Sequence, residues 1–579
     1  MTSTQWLIFI LIIQFIHGLG TWKLYVKAGR KAWEAFVPVY NAVVLMKIIN
    51  RPRWWTFLLF VPIVNLIMLP VVWVETARSF GKNQYIDTFL AVITLGFYNY
   101  YLNYAADVSY VENRNINPKS SSGDWVSSIL FAIVAATIVH TYFIQPFTIP
   151  SSSLEKSLLV GDFLFVSKIH YGARVPMSTV ATPMVHDTIP VVNVKSYLYN
   201  DKIEENKTSL KNKLQLPYMR IPGFETIERN DIVVFNQPAD TLLDMNDFTP
   251  DRNYYKPIDK KTNLVKRCVG IPGDSLQIID GYVYINGKKN ELPDRAKLQH
   301  HYTWEAKDNL TQSYMDNLIN QYEIETVSSF YKIDKKLWDN PRIKAYFEDL
   351  KKQRKAYLKE SSRDSLMVEV VGAISSDEMR KLKMEPLPLK YNLNLTAENA
   401  ALIKSLPMTK SLQQFSYQHE DPTVFPHNPQ YNWNYDNFGP IYIPEKGATV
   451  ELNLEVLPLY KRLISEYEGK KVTTRGNQVL IEGEPVNSYT FDNDYYWMMG
   501  DNRNNSVDAR AWGYVPFNHV VGKPVFIWMS WDGIKNPRWE RWFTTVGGSG
   551  KPVSYLIPFL ILLAGWFGFN KWRQKKKAK

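Results

Sequence analysis

Five apolar segments, roughly 5–20, 55–77, 85–105, 125–146 and 553–569, approach the ~20 residues that a helix needs to cross the hydrocarbon core of a bilayer. A chain of 579 residues with this pattern is expected to be a multi-pass membrane protein. Segment 5–20 has no basic stretch in front of it and is followed by Lys23 and further basic residues, so it reads as a retained span rather than a cleaved leader. Loop charge gives the orientation. Residues 23–53 hold Lys23, Lys27, Arg30, Lys31, Lys47, Arg51 and Arg53, which predicts a cytoplasmic loop and an outer N-terminus. Residues 106–124 are then inside and 147–552 outside, and the basic tail from Lys571 to Lys579 returns to the cytoplasm. Arg78 and Lys82 fall in the short outer loop, against that rule. This leaves a buried helical hairpin as the other reading of the second and third segments.

The formal net charge of +12 is concentrated beside these apolar segments, which favours a membrane face over nucleic acid as its partner. One cysteine, Cys268, excludes an intramolecular disulfide framework and a cysteine-based structural zinc site. His300 and His301 lack any metal-ligand spacing and are expected to be solvated surface residues. No metal and no cofactor are expected. Within 147–552, the runs Asp162–Ser167, Asp231–Phe235, Ser275–Ile279 and Tyr282–Asn286 are apolar, bounded by Gly, Pro and Asn/Asp, and predict short strands. From about 295 to 440 the character changes. Segments such as Ile333 to Arg363 carry Lys, Arg and Glu at helical spacing, which predicts an inserted, partly helical, solvated subdomain. Gly281–Gly287 is echoed by Asn477–Gly483, as though a β motif resumes after the insertion.

Three motifs carry potential chemistry. Phe147-Thr-Ile-Pro150-Ser151-Ser152-Ser153-Leu154 directly follows the fourth apolar segment, where a membrane-embedded peptide would emerge. Leu264-Val265-Lys266-Arg267-Cys268-Val269-Gly270 places a lysine inside an apolar strand. Such a lysine either snorkels at an edge or loses its proton on burial. A neutral lysine can take the proton of a serine hydroxyl, which is otherwise a poor nucleophile. Gly500-Asp-Asn-Arg-Asn-Asn-Ser506-Val-Asp508-Ala-Arg510 is dense in turn-forming and ionic residues but lacks the spacing of a calcium loop.

In this order, and with Asn230-Asp231-Ile-Val-Val-Phe between the first two, the boxes resemble those of the type I signal peptidases, over about 120–290 and 480–530. The resemblance implies a mainly β, two-lobed exported catalytic domain carrying the insertion. It implies a serine endopeptidase that removes signal peptides from exported preproteins after Ala-x-Ala-like ends. Ser153 would be the nucleophile and Lys266 the general base. Ser151 and a backbone N–H would form the oxyanion hole. Ser506 would orient the lysine, supported by Asp508 with Arg510 and by the Gly500-Asp501 turn. Phe147, Ile149, Pro150, Leu158, Leu264 and Val265 would line pockets for small side chains. Leu154, Asn230, Asn504 and Ala509 depart from the usual Met, Gly, Asp and Ser.

The expected organisation is a membrane module of about three spans at 1–118 and a span leading into the catalytic domain at 119–146. Catalytic parts follow at 147–294 and 441–550, flanking the insertion at 295–440, with an anchor and basic tail at 551–579. The implied location is the bacterial inner membrane with the catalytic domain on the periplasmic side. The implied partners are signal peptides, membrane lipid and the Sec translocation machinery, with no nucleic acid. Residues 28–81 look like an additional membrane module found ahead of some such peptidases. A self-cleaving Ser-Lys repressor is disfavoured by the apolar segments. A catalytically silent membrane scaffold or export-complex subunit is the alternative of a different class.

Overall fold

The computed structural model describes residues 1–116, 121–243, 252–352, 357–417, 419–533 and 536–577. The expected boundary between 118 and 119 and the terminal Lys579 lie outside the described residues.

The region expected to be catalytic is built on strands β1 (Ile144–Thr148), β2 (Asp162–Ser167), β3 (Ile232–Asn236), β4 (Asn263–Gly270), β5 (Tyr495–Met499) and β6 (Val520–Asp532). They form one antiparallel sheet in the order β1-β2-β6-β3-β4-β5. The period-two alternation of a strand sorts its side chains onto the two faces. On central β3, Ile232 and Val234 join one apolar cluster with Ile149, Leu154, Leu158 and Leu164. Val233 and Phe235 join the larger cluster on the other face, with Cys268, Trp497 and Trp512. Both faces of β3 are therefore covered, and the strand is buried along its whole length.

A second, four-stranded sheet contains Ser275–Ile279 and Tyr282–Ile285, joined at Asp280-Gly281, where both residues have positive φ (50° and 81°). Asp-Gly suits such a tight hairpin because both residues tolerate the left-handed region. Strand Phe438–Tyr442 pairs back onto Ser275–Ile279. The expected end of the insertion, at about 440, falls within this strand. The echoed segment is also a hairpin unit: Gln478–Ile481 turns at Glu482-Gly483 as Tyr282–Ile285 turns at Asn286-Gly287, each pair with positive φ.

The insertion is more β than its charge pattern predicts. Its centre is a six-stranded antiparallel sheet, in the order Tyr357–Arg363, Met367–Ala373, Val327–Asp334, Glu385–Thr396, Gln299–Ala306, Thr409–Gln414. Helices Gln312–Tyr322, Pro341–Lys352 and Ala397–Lys404 accompany it. The charged helical segment is real, but it spans only part of 333–363. His300 and His301, expected on the surface, are buried at 3% and 7% exposure because they lie on strand Gln299–Ala306, which runs between Glu385–Thr396 and Thr409–Gln414 and faces the 500–510 loop.

Among the described residues, two helical stretches are long and apolar enough to cross a membrane, Ser3–Lys27 and Ser121–Phe143. The expected spans 55–77 and 85–105 are not single helices. The first is Trp55–Leu58 followed by Asn65–Ser79, and the second is Tyr85–Ile93 followed by Tyr98–Tyr104, broken at Leu95 and Gly96 with positive φ. Buried Glu75 meets Arg51 at 3.0 Å, Arg78 at 3.4 Å and Arg114 at 2.6 Å. Arg51, Arg78 and Arg114 thus lie at one level. A single crossing between 51 and 78, which would set Arg51 and Arg78 on opposite faces, does not fit that carboxylate. The last apolar segment is part of helix Leu556–Lys577, which runs into its own basic tail.

Trp304, fully buried in the insertion, donates from Nε1 to Thr409 Oγ1 at 2.9 Å. Trp304→Ala is expected to destabilise the insertion by ~3–5 kcal/mol, the usual range for truncating a core aromatic, read as a lower urea midpoint. An unchanged midpoint would contradict its place at the centre of this core.

Candidate active site

Strand β4 carries Lys266 through the middle of the sheet. Val265 pairs with Val234, Lys266 with Val233, and Arg267 with both Ile232 and Met499. Lys266 is only 4% exposed. Burial pushes its ammonium down from the usual lysine range to about 8; Asp508 opposes this, Arg510 adds to it, and Asp501 opposes it. An amine so placed is largely neutral in mildly alkaline solution and can accept a proton.

The serine loop leaves β1 in extended backbone at Ser151 and enters a single 3-10 turn, Ser152–Leu154. Leu154 and Leu158 anchor the turn in the apolar cluster that Phe147 and Val265 also join. Ser153 is 9% exposed, whereas Ser151 is exposed. Asn502 holds the loop from the other side. Its backbone N–H donates to Ser153 O and its Nδ2 to Ser152 O, both at 3.1 Å. Gly500 is where the pieces meet. A Cβ there would lie 2.3 Å from Ser506 Oγ and 2.5 Å from Ser153 O, so only glycine allows Ser153 and Ser506 to approach this closely. Ser506 Oγ is buried and has no hydrogen-bond partner among the described residues.

Two buried ion pairs frame these groups. Arg267 forks onto Asp501 at 2.7 and 2.6 Å, and Ser157 Oγ donates to the same carboxylate at 2.5 Å. Asp508 accepts from Arg510 at 2.9 and 2.8 Å and from the Gly500 N–H at 3.0 Å. Burial alone would raise both carboxyls. The guanidinium beside each more than offsets it and holds Asp501 and Asp508 below the ordinary carboxylate range.

The structure thus gathers Ser153, Gly500, Asp501, Ser506, Asp508 and Arg510, with Lys266 in electrostatic reach of Asp508. Phe147, Ile149, Leu158 and Val265 share one apolar cluster. Leu264 does not join them. It precedes Val265 on the same strand, so alternation turns it to the opposite face, against the larger core. Pro150 is exposed at the rim. The departures from the usual pattern have local explanations. Asn230 has φ 74°, a backbone that suits glycine and that asparagine tolerates. Asn504 Oδ1 accepts from the His301 N–H at 2.9 Å, and Leu154 fills the apolar cluster. Ala509 is fully buried.

Sequence reasoning missed Arg267, Ser157 and Asn502, although Arg267 and Asn502 stand inside the motifs it quoted. It also missed the contribution of the insertion. Asn502 Nδ2 donates to Glu325 at 2.7 Å, its Oδ1 accepts from Asn394 at 3.0 Å, and Lys156 meets Glu323 at 2.5 Å. No local pattern marks those insertion residues, because only the folded sheet brings them to the loop.

The model of a family described as signal peptidase, peptidase S26, matches residues 122–335 and 488–531. Over these two stretches the chain is similar to the signal peptidases. Its relatives include a signal peptidase I of Buchnera aphidicola from Acyrthosiphon pisum, 21% identical over 78% of this chain and 92% of the relative. Another, from the Schizaphis graminum strain of Buchnera aphidicola, is 23% identical over 71% of this chain and 76% of the relative. The signal peptidase I of Helicobacter pylori is 36% identical over 18% of this chain and 41% of its own length. The family match reaches into the insertion, further than the expected 120–290. Residues 33–113 match a separate family of unknown function (DUF5684).

Because a lysine base acts only when neutral, kcat/KM for a preprotein should rise with pH and level off above about 8. A flat profile between about pH 6 and about pH 9 would contradict Lys266 as the titrating group.

Proposed function

We propose that this protein is a signal peptidase that cuts by a Ser153–Lys266 dyad and does so at the membrane surface. Removal of signal peptides follows from the family and the relatives. The observation that carries the dyad is a buried lysine, pushed down to about 8, on the strand beside a serine loop whose Ser153 carbonyl packs against Gly500, as does the Ser506 hydroxyl. Neutral Lys266 takes the Ser153 hydroxyl proton as Oγ attacks the scissile carbonyl. Ser151 Oγ and the Ser153 N–H donate to the oxyanion, and the Ser506 hydroxyl orients the amine. The lysinium then protonates the leaving amine, and water, deprotonated by the same lysine, hydrolyses the acyl-enzyme. Asp501–Arg267 and Asp508–Arg510 keep the loop and the charge balance in place. Phe147, Ile149, Leu158 and Val265 form the apolar wall that admits small side chains before the cut and clashes with larger ones.

In this reading Ser121–Phe143 spans the inner membrane, and Ser153 stands ten residues beyond its end. Attachment then replaces a search in three dimensions with one in a plane. Trp6 Nε1 donates to Gln215 O at 2.9 Å, which supports an outer start for the Ser3–Lys27 helix, on the side of the catalytic region. Substrates are preproteins delivered through the membrane, with the Sec translocase as their source. A silent scaffold is not favoured, since Ser153, Lys266 and Ser506 are all retained.

Cleavage of a preprotein whose signal ends in Ala-x-Ala, by purified protein in detergent, tests the dyad. Wild type should cut at the expected bond. Ser153→Ala and Lys266→Ala should not, nor should Lys266→Arg, because a guanidinium keeps its proton at working pH. Ser151→Ala should retain activity reduced by ~10²–10³, as for loss of one oxyanion donor elsewhere. Wild-type rates in Lys266→Arg would eliminate the lysine as base.

A further inference from the structure

A cavity of about 110 Å³ lies where the end of the Ser121–Phe143 helix, the catalytic sheet and the N-terminal module meet. His140, Lys168, Arg174, His186 and Lys260 line it, and Ile63 of the N-terminal module closes one side. None of these residues has a part in the proposed cleavage.

Lys168 directly follows β2, and its backbone N–H donates to Phe143 O at 2.8 Å, which ties it to the helix end. It is 8% exposed, and its Nζ stands 5.7 Å from the centre of the Phe147 ring. Among the described residues, no carboxylate is within ion-pair distance of Lys168, Arg174 or Lys260. Lys260 Nζ donates to Val185 O at 3.3 Å and lies 5.3 Å from the centre of the Tyr197 ring, with Asp259 and Asp187 acting on it only through space, and Arg174 donates to Asn518 O and Asn236 Oδ1. The acid on the wall, Asp259, is engaged elsewhere: it accepts from the N–H groups of Met177 and Ser178 and from Ser178 Oγ. Three cationic side chains therefore share the cavity with one committed carboxylate. A buried cation is costly unless a counter-charge meets it. Burial, then the charges of Arg174 and Arg220, hold the Lys168 ammonium well below the usual lysine range, and an anion against it would restore the charged form.

We propose that this cavity binds the phosphate of an anionic membrane lipid. The favoured source is a headgroup rather than free phosphate, because the cavity borders the point where an apolar helix ends and the catalytic sheet begins, at the depth where headgroup phosphates lie. The inference rests on Ser121–Phe143 being a span. The lipid would fix the height of β1, and with it the serine loop, over the membrane.

The test is calorimetric titration of the full-length protein in neutral detergent. The probes are dihexanoyl phosphatidylglycerol, dihexanoyl phosphatidylcholine and inorganic phosphate. Phosphatidylglycerol should bind at least about ten-fold more tightly than phosphatidylcholine, and Lys168→Met and Lys260→Gln should each weaken it about ten-fold. The two variants lie on different walls, so one that fails to fold leaves the other to decide, with thermal midpoints checked alongside. Equal binding of the two lipids, or wild-type affinity in a folded variant, overturns the proposal. Binding of inorganic phosphate without lipid binding overturns the lipid source. Cleavage is not read, so failure here is distinct from failure of the dyad.

Discussion

The site depends on balanced burial of charge. Lys266 is placed in the centre of a sheet, where a cation is expensive. Water is excluded, so every neighbouring charge acts on it at low screening. An unpaired carboxylate nearby would hold the lysine protonated and useless as a base. Asp501 and Asp508 are both fully buried near it, yet each is paired with a guanidinium, Arg267 and Arg510. The pairs leave little net field at the amine, so burial decides its proton affinity. The same pairs are structural: Arg267 belongs to the strand of Lys266, and Asp501 to the loop that grips the serine turn. Charge balance and geometry are thus set by the same bonds.

The insertion is part of this arrangement rather than an appendage. Asn502 binds the carbonyls of Ser152 and Ser153, and is itself held by Glu325 and Asn394 of the insertion. His301 N–H bonds Asn504, and the Gln299 N–H bonds Asp501 O. The burial of His300 and His301 follows, since their strand lies against this loop. Burial lowers both rings to about 3 and about 4, so they are neutral and add no charge beside the paired acids. Asn504, a departure from the usual aspartate, also avoids adding an acid here.

In the N-terminal module, charge decides the architecture as well. Glu75 collects Arg51, Arg78 and Arg114, and apolar segments that look like spans fold as short helices around it. Hydropathy registers the apolar residues but cannot register that one carboxylate draws two distant arginines, Arg51 and Arg114, to the level of its neighbour Arg78. The cationic cavity beside the Ser121–Phe143 helix is likewise assembled from separated stretches, 140, 168–174, 186 and 260.

The legible parts were those whose physics is local. Short apolar runs bounded by turn residues marked β2, β3 and the Ser275–Ile285 hairpin, because such runs and their turn residues are properties of consecutive positions. The motifs put forward Ser153, Lys266 and the 500–510 loop, the proposed site, from consecutive positions in the same way. Tertiary structure alone decided the rest. The six-stranded sheet of the insertion joins strands far apart in sequence, and its charged helices masked it. Leu264 went to the face opposite Val265 because adjacent strand residues cannot share a pocket. The grip of Glu325 and Asn394 on Asn502, and the meeting of Ser153 with Ser506 over Gly500, arise from pairings between remote segments. No spacing along the chain encodes such pairings, because they exist only once the sheets have formed.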